Sequence, residues 1–305
     1  GSSSYTSTEC NTYVIDNNLQ GWMWRVRAVD ALGNASQWSQ TGTYEFAPCR
    51  LSDGSACVSP PLSVPRLYGV RSGDNDLTII DIGLLSAVPY ASLGSMGVTT
   101  AMAKYGDYED FYVWGNQGEA GGELFSVNRC DADVTLLATF PRDPLPGGEM
   151  GELSSLAYAP DGTLYGIGNE DGGGQHALFL IDDSEGWFKQ QIAALDLRIF
   201  GADFGPDDQL YGVTDHGDRL VTVNTDNGTV STVATFSPAL APGAQYVGSV
   251  VFDSAGDLLV ATSAAIYRVS GIGGTVVVEN LGAIVSGYVA QGLAFAPAPG
   301  YGCVP

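Results

Sequence analysis

A phrase recurs along most of this chain at intervals of about 45 to 50 residues. It reads as a strand of small apolar residues, a Pro/Asp/Gly turn, a Leu-Tyr-Gly strand, a polar gap, and a Leu-Phe-x-Ile-Asp strand. The fullest copy begins at Ser155, turns at Pro160-Asp161-Gly162, continues through Leu164-Tyr165-Gly166 and ends at Asp182. The Leu-Tyr-Gly strand appears five times, at Leu67–Val70, Phe111–Gly115, Leu164–Ile167, Leu210–Val213 and Leu258–Val260. Its successor follows each time, at Leu77–Asp81, Leu124–Asn128, Leu178–Asp182, Leu220–Asn224 and Ile266–Val269.

A unit of this size cannot bury the apolar faces of its own strands, so neighbouring units must stack on one another. Stacking around a ring gives a β-propeller, and five copies predict five blades. The ends of the repeat supply a check. The small-apolar strand precedes blades two to five as Val98–Ala103, Leu156–Ala159, Ala202–Gly205 and Ser249–Asp253. One further copy, Gly292–Pro297, has nothing after it, while the first Leu-Tyr-Gly strand has no such strand before it. One blade is therefore expected to be built from both ends of residues 67–305, closing the ring and removing its open edges. The fold class is all-β.

The pattern resembles extracellular propeller families with Pro-Asp-Gly-x-Leu-Tyr turns, some of whose relatives carry NHL-type or lactonase-like blades. It does not resemble a WD40 array, since the Gly-His and Trp-Asp pairs are missing. The resemblance covers residues 67–298, and its motifs encode turns and packing rather than chemistry.

Residues 1–47 have a different texture, holding three of the five tryptophans. In Gly21–Asp30, the residues Trp22, Trp24, Val26 and Ala28 alternate with Met23, Arg25 and Arg27, the period of a half-buried strand. The run Trp22-x-Trp24-Arg25-Val26-Arg27-Ala28-Val29-Asp30, followed by Gly33-Asn34-x-Ser36-x-Trp38-Ser39, resembles the F strand and F–G turn of a fibronectin type III domain. Thr12–Asp16 resembles its strand E and Thr43–Phe46 its strand G, and the first four strands of that family have no counterpart. A sandwich lacking them exposes Tyr13, Trp22, Trp24, Val26 and Ala28. Each large side chain then forgoes about 1.5–3 kcal/mol of burial. Three readings follow: completion by a neighbouring chain as in donor-strand assembly, truncation, or cover by the propeller itself. Completion by another copy, head to tail, propagates into a filament. Residues 48–66, rich in Pro, read as a stiff linker.

Charge excludes several partners. With 34 acidic against 12 basic residues the net charge is −22, which repels phosphate backbones and anionic lipids. Neither nucleic-acid binding nor membrane insertion is expected, and no apolar run reaches the roughly 20 residues of a spanning helix. The acidity suits a secreted protein; no cofactor is expected, although such carboxylates suit Ca²⁺. Cys10, Cys49, Cys57, Cys130 and Cys303 form no C-x-x-C pair. Cys49, Cys57 and Cys303 lie at segment junctions, which suits a disulfide between two of them in an oxidising compartment, with at least one thiol left over. The opening Gly1-Ser2-Ser3-Ser4 reads as a processed chain, a fragment or a short scar. Asn34-Ala35-Ser36 and Asn227-Gly228-Thr229 match the glycosylation sequon.

Catalytic signals are sparse. His216, in Asp215-His216-Gly217-Asp218, and His176, after Gly172-Gly173-Gly174, both read as turn residues in equivalent gaps. Carboxylates for glycosidase-like work are Asp107, Glu109 and Asp110, then Glu170 and Asp171, then Asp215 and Asp218, and all read more simply as solvated loop charges. No EF-hand, phosphate loop or nucleophile elbow occurs. No catalytic or cofactor residue is assigned. The leading expectation is a non-catalytic extracellular or cell-surface protein of adhesion or filament assembly, with copies of itself, a surface protein or a glycan as partner. The alternative is a secreted propeller hydrolase or lactonase-like metal enzyme.

Overall fold

The computed structural model describes residues 66–71, 76–94, 98–104, 110–116, 121–128, 132–141, 153–170, 175–182, 187–243, 245–284 and 290–296, together with 22–24 and 42–44. The chain divides into two units, Gly1–Val64 and Pro65–Pro305. In the first, β1 (Trp22–Trp24) pairs antiparallel with β2 (Gly42–Tyr44), matching Trp22 to Tyr44 and Trp24 to Gly42. The rest of the expected fibronectin-like module, Tyr13, Val26 and Ala28 included, lies outside the described residues, as do all five cysteines.

The second unit is a five-bladed propeller of antiparallel four-stranded sheets. After β3 (Arg66–Val70), β4 (Asp76–Asp81) and β5 (Ser86–Ser92), the second blade is β6 (Val98–Lys104), β7 (Asp110–Asn116), β8 (Gly121–Asn128) and β9 (Val134–Pro141). The third is β10 (Leu153–Tyr158), β11 (Leu164–Glu170), β12 (Gln175–Asp182) and β13 (Phe188–Ala194). The fourth is β14 (Ile199–Phe204), β15 (Leu210–Thr214), β16 (Arg219–Val223) and β17 (Val230–Thr235). The fifth is β18 (Val247–Phe252), β19 (Leu258–Thr262), β20 (Ile266–Ser270) and β21 (Val277–Gly282). Finally β22 (Gly292–Ala296) returns to pair with β3, setting Leu293 opposite Gly69 and Phe295 opposite Leu67, and so completes the first blade. The expected closure by complementary ends is thus the architecture found.

The repeated phrase has a packing cause. The small-apolar strands β22, β6, β10, β14 and β18 are innermost and touch one another around the ring. Strands that close on an axis leave little room for side chains, so small residues are selected there. The Leu-Tyr-Gly strand lies next outward, and in the third and fourth blades its glycine is a space requirement, where the second and fifth blades have Val113 and Val260. A Cβ at Gly166 would lie 2.7 Å from Leu153 Cδ1, and one at Gly212 2.7 Å from Ile199 Cγ2. Four inner strands carry a register shift at the same position, between Thr99 and Ala101, Leu153 and Ser155, Ile199 and Gly201, and Val247 and Ser249. Such a bulge increases local twist and re-aims the residues beyond it.

The core consists of five apolar clusters, one between each pair of adjacent blades. Both faces of every blade are therefore covered, which is why β15 and β19 are buried at every position. Closure does not remove every edge. Each sheet still ends in an outer strand at the rim, and Val88, Leu136, Val277 and Val278 on those strands are exposed. Pairing β22 with β3 seals the ring around its axis, whereas no strand pairs beyond the outermost ones among the described residues.

Candidate functional site: the central funnel

Each inner strand runs toward the same end of the disc, where in the third to fifth blades a turn leads into the Leu-Tyr-Gly strand. At that end the five strands enclose a funnel of about 460 Å³, lined by Lys104, Tyr158, Asp203, Phe252, Asp253 and Phe295 among others. Register with the second strand aligns the blades without ambiguity. Opposite Tyr112, Tyr165, Tyr211, Leu259 and Tyr68 stand Ala103, Ala157, Asp203, Val251 and Ala294. One residue on, the ring reads Lys104, Tyr158, Phe204, Phe252 and Phe295. Tyr158, Phe204 and Phe252 each meet the tyrosine of the preceding blade, at centroid separations of 6.2 Å to Tyr112, 5.7 Å to Tyr165 and 5.3 Å to Tyr211. Lys104 replaces the aromatic in the second blade and brings an ammonium to the funnel wall.

Asp203 is the outlier, a carboxylate where the other blades have Ala or Val. Its Oδ1 accepts the N–H of Phe204 at 2.9 Å and its Oδ2 accepts the N–H of Phe252, on the next blade, at 2.8 Å. Burial pushes its carboxyl up to about 7, against the pull of those two donors toward the charged form. Hydroxyls make similar ties. Ser155 Oγ donates to Ala202 O at 3.1 Å and accepts the N–H of Ala202 at 2.8 Å. Ser154 Oγ donates to Ile199 O at 2.9 Å, and Thr100 Oγ1 to Leu153 O at 2.6 Å. Sequence reading placed residues 202–205 correctly as an inner strand but passed over Asp203. The signal available was the break in the repeat, Asp among Ala and Val.

Among the described residues, those singled out from sequence on different blades are not brought together. Asp110 starts β7 at the funnel end, where its carboxylate accepts from Asn128 Nδ2 at 3.1 Å and Ser126 Oγ at 3.3 Å. Asp215 and Asp218 lie in the β15–β16 turn, at the opposite end of the disc. There Asp218 accepts from the Thr214 hydroxyl, and Asp215 is 3.6 Å from Arg198 Nη1 and 3.7 Å from His216 Nε2. His216 is an exposed turn residue, as expected. His176 is not. It pairs with Asn169 inside the β11–β12 ladder and is 1% exposed, because that hairpin stays paired out to Glu170 and Gln175. Its Nδ1 accepts the N–H of Ile199 at 3.2 Å, and its ring lies against Phe200. Burial drives its pKa down to about 4, so it is held neutral. Asp107, Glu109 and Asp171 lie outside the described residues, as does the Glu170 side chain, and no side chain is described for Trp22 or Trp24. Among the described residues, no three His, Cys, Asp or Glu side chains converge as a metal site would require. No described helix is long and apolar enough to cross a membrane.

No protein-family model and no curated protein matches the chain. Solved structures similar to it include a chain of a nidogen–laminin complex, at 10% identity over 77% of this chain and 99% of that one, with a TM-score of 0.49. Virginiamycin B lyase from Staphylococcus aureus is similar at 13% identity, over 85% of this chain and 88% of that one, with a TM-score of 0.42. A luciferin-regenerating enzyme is similar at 13% identity, over 72% of this chain and 76% of that one, with a TM-score of 0.43. Proteins named as enzymes and a chain of a nidogen–laminin complex thus stand beside this chain, and fold likeness at this level does not choose between them.

Proposed function

We propose that this chain is a non-catalytic extracellular protein of adhesion, surface architecture or filament assembly. Its propeller is a rigid body, and the N-terminal unit associates with other copies of itself or with a surface protein through Tyr13, Trp22, Trp24, Val26 and Ala28. The observation that carries the non-catalytic reading is how the central carboxylate is used. Asp203 has an N–H donor on each oxygen, one of them from the neighbouring blade, so its hydrogen bonds tie blades rather than await a substrate. The assembly half rests on the alternation of large apolar residues in 22–28. Light scattering tests it: the natural protein is expected to self-associate, and Trp24→Asp to leave a monomer with an unchanged propeller melting transition. A monomeric wild type refutes self-assembly and leaves only the surface-protein partner.

A second reading, a secreted hydrolase, is favoured by one observation: a carboxyl raised to about 7 beside an open funnel suits general acid–base work. Screening glycosidase and lactonase substrates with wild type and Asp203→Asn separates the two. Turnover that vanishes in the variant would establish the enzyme.

A further inference from the structure

A second cleft opens at the funnel end of the disc between the second and third blades. It holds about 360 Å³ and is lined by Tyr112, Tyr158, Thr163, Asp182 and Trp187 among others. That volume falls within the range of about 300–1,000 Å³ typical of small-molecule sites. Three aromatic rings frame it. Tyr112 meets Trp187 edge to face at 5.6 Å, and Tyr112 meets Tyr158 at 6.2 Å. Tyr158 also lines the central funnel, so aromatic surface runs from the axis out to Trp187.

Trp187 is held there by packing, at a left-handed turn position that costs a tryptophan energy. Turns between the third and fourth strands of four blades place a left-handed residue just before the closing position: Leu85 before Ser86, Ala132 before Asp133, Trp187 before Phe188 and Gly228 before Thr229. The fourth blade uses glycine, the residue suited to φ +70°. The third uses the bulkiest residue available, at φ +48°. A large aromatic in that region is a genuine outlier, and such strain persists where a side chain must be held in place. Packing of Trp187 against Tyr112 orders one wall of the cleft, and Thr163 and Asp182 bring a hydroxyl and a carboxylate to the residues that line it.

These groups match a sugar. A pyranose presents an apolar C–H face and a rim of hydroxyls. The face stacks on Trp and Tyr rings, whose apolar bodies carry polar tips. Hydroxyls at the rim donate to a carboxylate, which only accepts, and exchange hydrogen bonds with threonine. Net charge selects among sugars: a chain carrying −22 with a carboxylate in the cleft repels sialylated, sulfated and uronic residues. We propose that the Tyr112–Tyr158–Trp187 cleft binds a neutral sugar residue of a glycan. This gives the adhesive part of the proposed function a ligand class and rests on that reading.

The test uses the full chain on an array of neutral gluco-, manno-, galacto- and N-acetylglucosamine oligomers beside acidic glycans, followed by calorimetric titration of the best neutral oligomer. Wild type is expected to bind a neutral oligomer. Trp187→Gly is expected to lose at least tenfold in affinity while still melting in one cooperative transition, because glycine's relief of the left-handed backbone offsets part of the packing lost against Tyr112. Trp187→Phe is expected to fall between. Binding restricted to acidic glycans, no binding, or full affinity in Trp187→Gly overturns the inference. A chain that self-associates but binds no neutral sugar refutes the cleft alone. One that binds a neutral oligomer through Trp187 and also hydrolyses it refutes the non-catalytic reading and leaves the cleft standing.

Discussion

The seam where the ring closes is open to a one-atom test. At Gly292, the first residue of β22, an added Cβ would lie 2.5 Å from Met102 Cβ, 2.6 Å from Met102 N and 3.0 Å from Ala101 C. Two of those three atoms are backbone of β6, the inner strand of the neighbouring blade, so no rotamer change relieves the clash. The inner strands of the first and second blades must part, and the apolar cluster between them, Tyr68, Met102, Phe111 and Ala294 included, must loosen with them. Overpacking of this kind costs about 1–3 kcal/mol. For a domain of this size each kcal/mol lowers Tm by about 2–4 °C, so Gly292→Ala is expected to melt about 2–12 °C below wild type in differential scanning calorimetry. The control is Gly274→Ala, whose new Cβ meets only Gly271 O at 3.7 Å. It is expected to shift stability by no more than about 0.5 kcal/mol. A Gly292→Ala protein that melts with the control would refute backbone-to-backbone packing at the seam, and with it the small-residue explanation of the inner strands.

Two titrations carry opposite signs. The folded pKa of Asp203 is raised to about 7, so the native state binds more protons than the unfolded chain between about pH 4 and 7, and stability from this group falls as pH rises through that window. Asp203→Asn, which also sets one of the Phe204 and Phe252 N–H groups against an amide donor, is expected to cost about 1–3 kcal/mol and to cost more at pH 5 than at pH 8. An equal cost at both pH values would refute the raised carboxyl. The folded pKa of His176 is lowered to about 4, so its contribution is lost as pH falls from about 6.5 toward 4. His176→Asn keeps an acceptor for the Ile199 N–H and is expected to cost more at pH 8 than at pH 5, the reverse of Asp203→Asn. Thermal melts at the two pH values decide both, and a shared sign would refute the assignment.

What the sequence determined by itself is local and periodic. Five Leu-Tyr-Gly strands and one orphan small-apolar strand at Gly292–Pro297 sufficed for blade number, strand order and closure, because four of the blades are built from contacts within about 40 to 50 residues and the two incomplete ends can only complete each other. Tertiary structure alone decided what the exceptions mean. His176 reads as a turn residue beside three glycines, yet the β11–β12 ladder carries it inside, against Phe200 of the next blade. Asp203 is one letter in an apolar strand until Phe252, 49 residues on, brings its N–H to the carboxylate. Tyr112, Tyr158 and Trp187 come from three separate strands and turns, and only the stacking of the second blade on the third makes them one cleft. Periodicity is written in neighbours along the chain, whereas burial, protonation and a binding surface are set by neighbours across it.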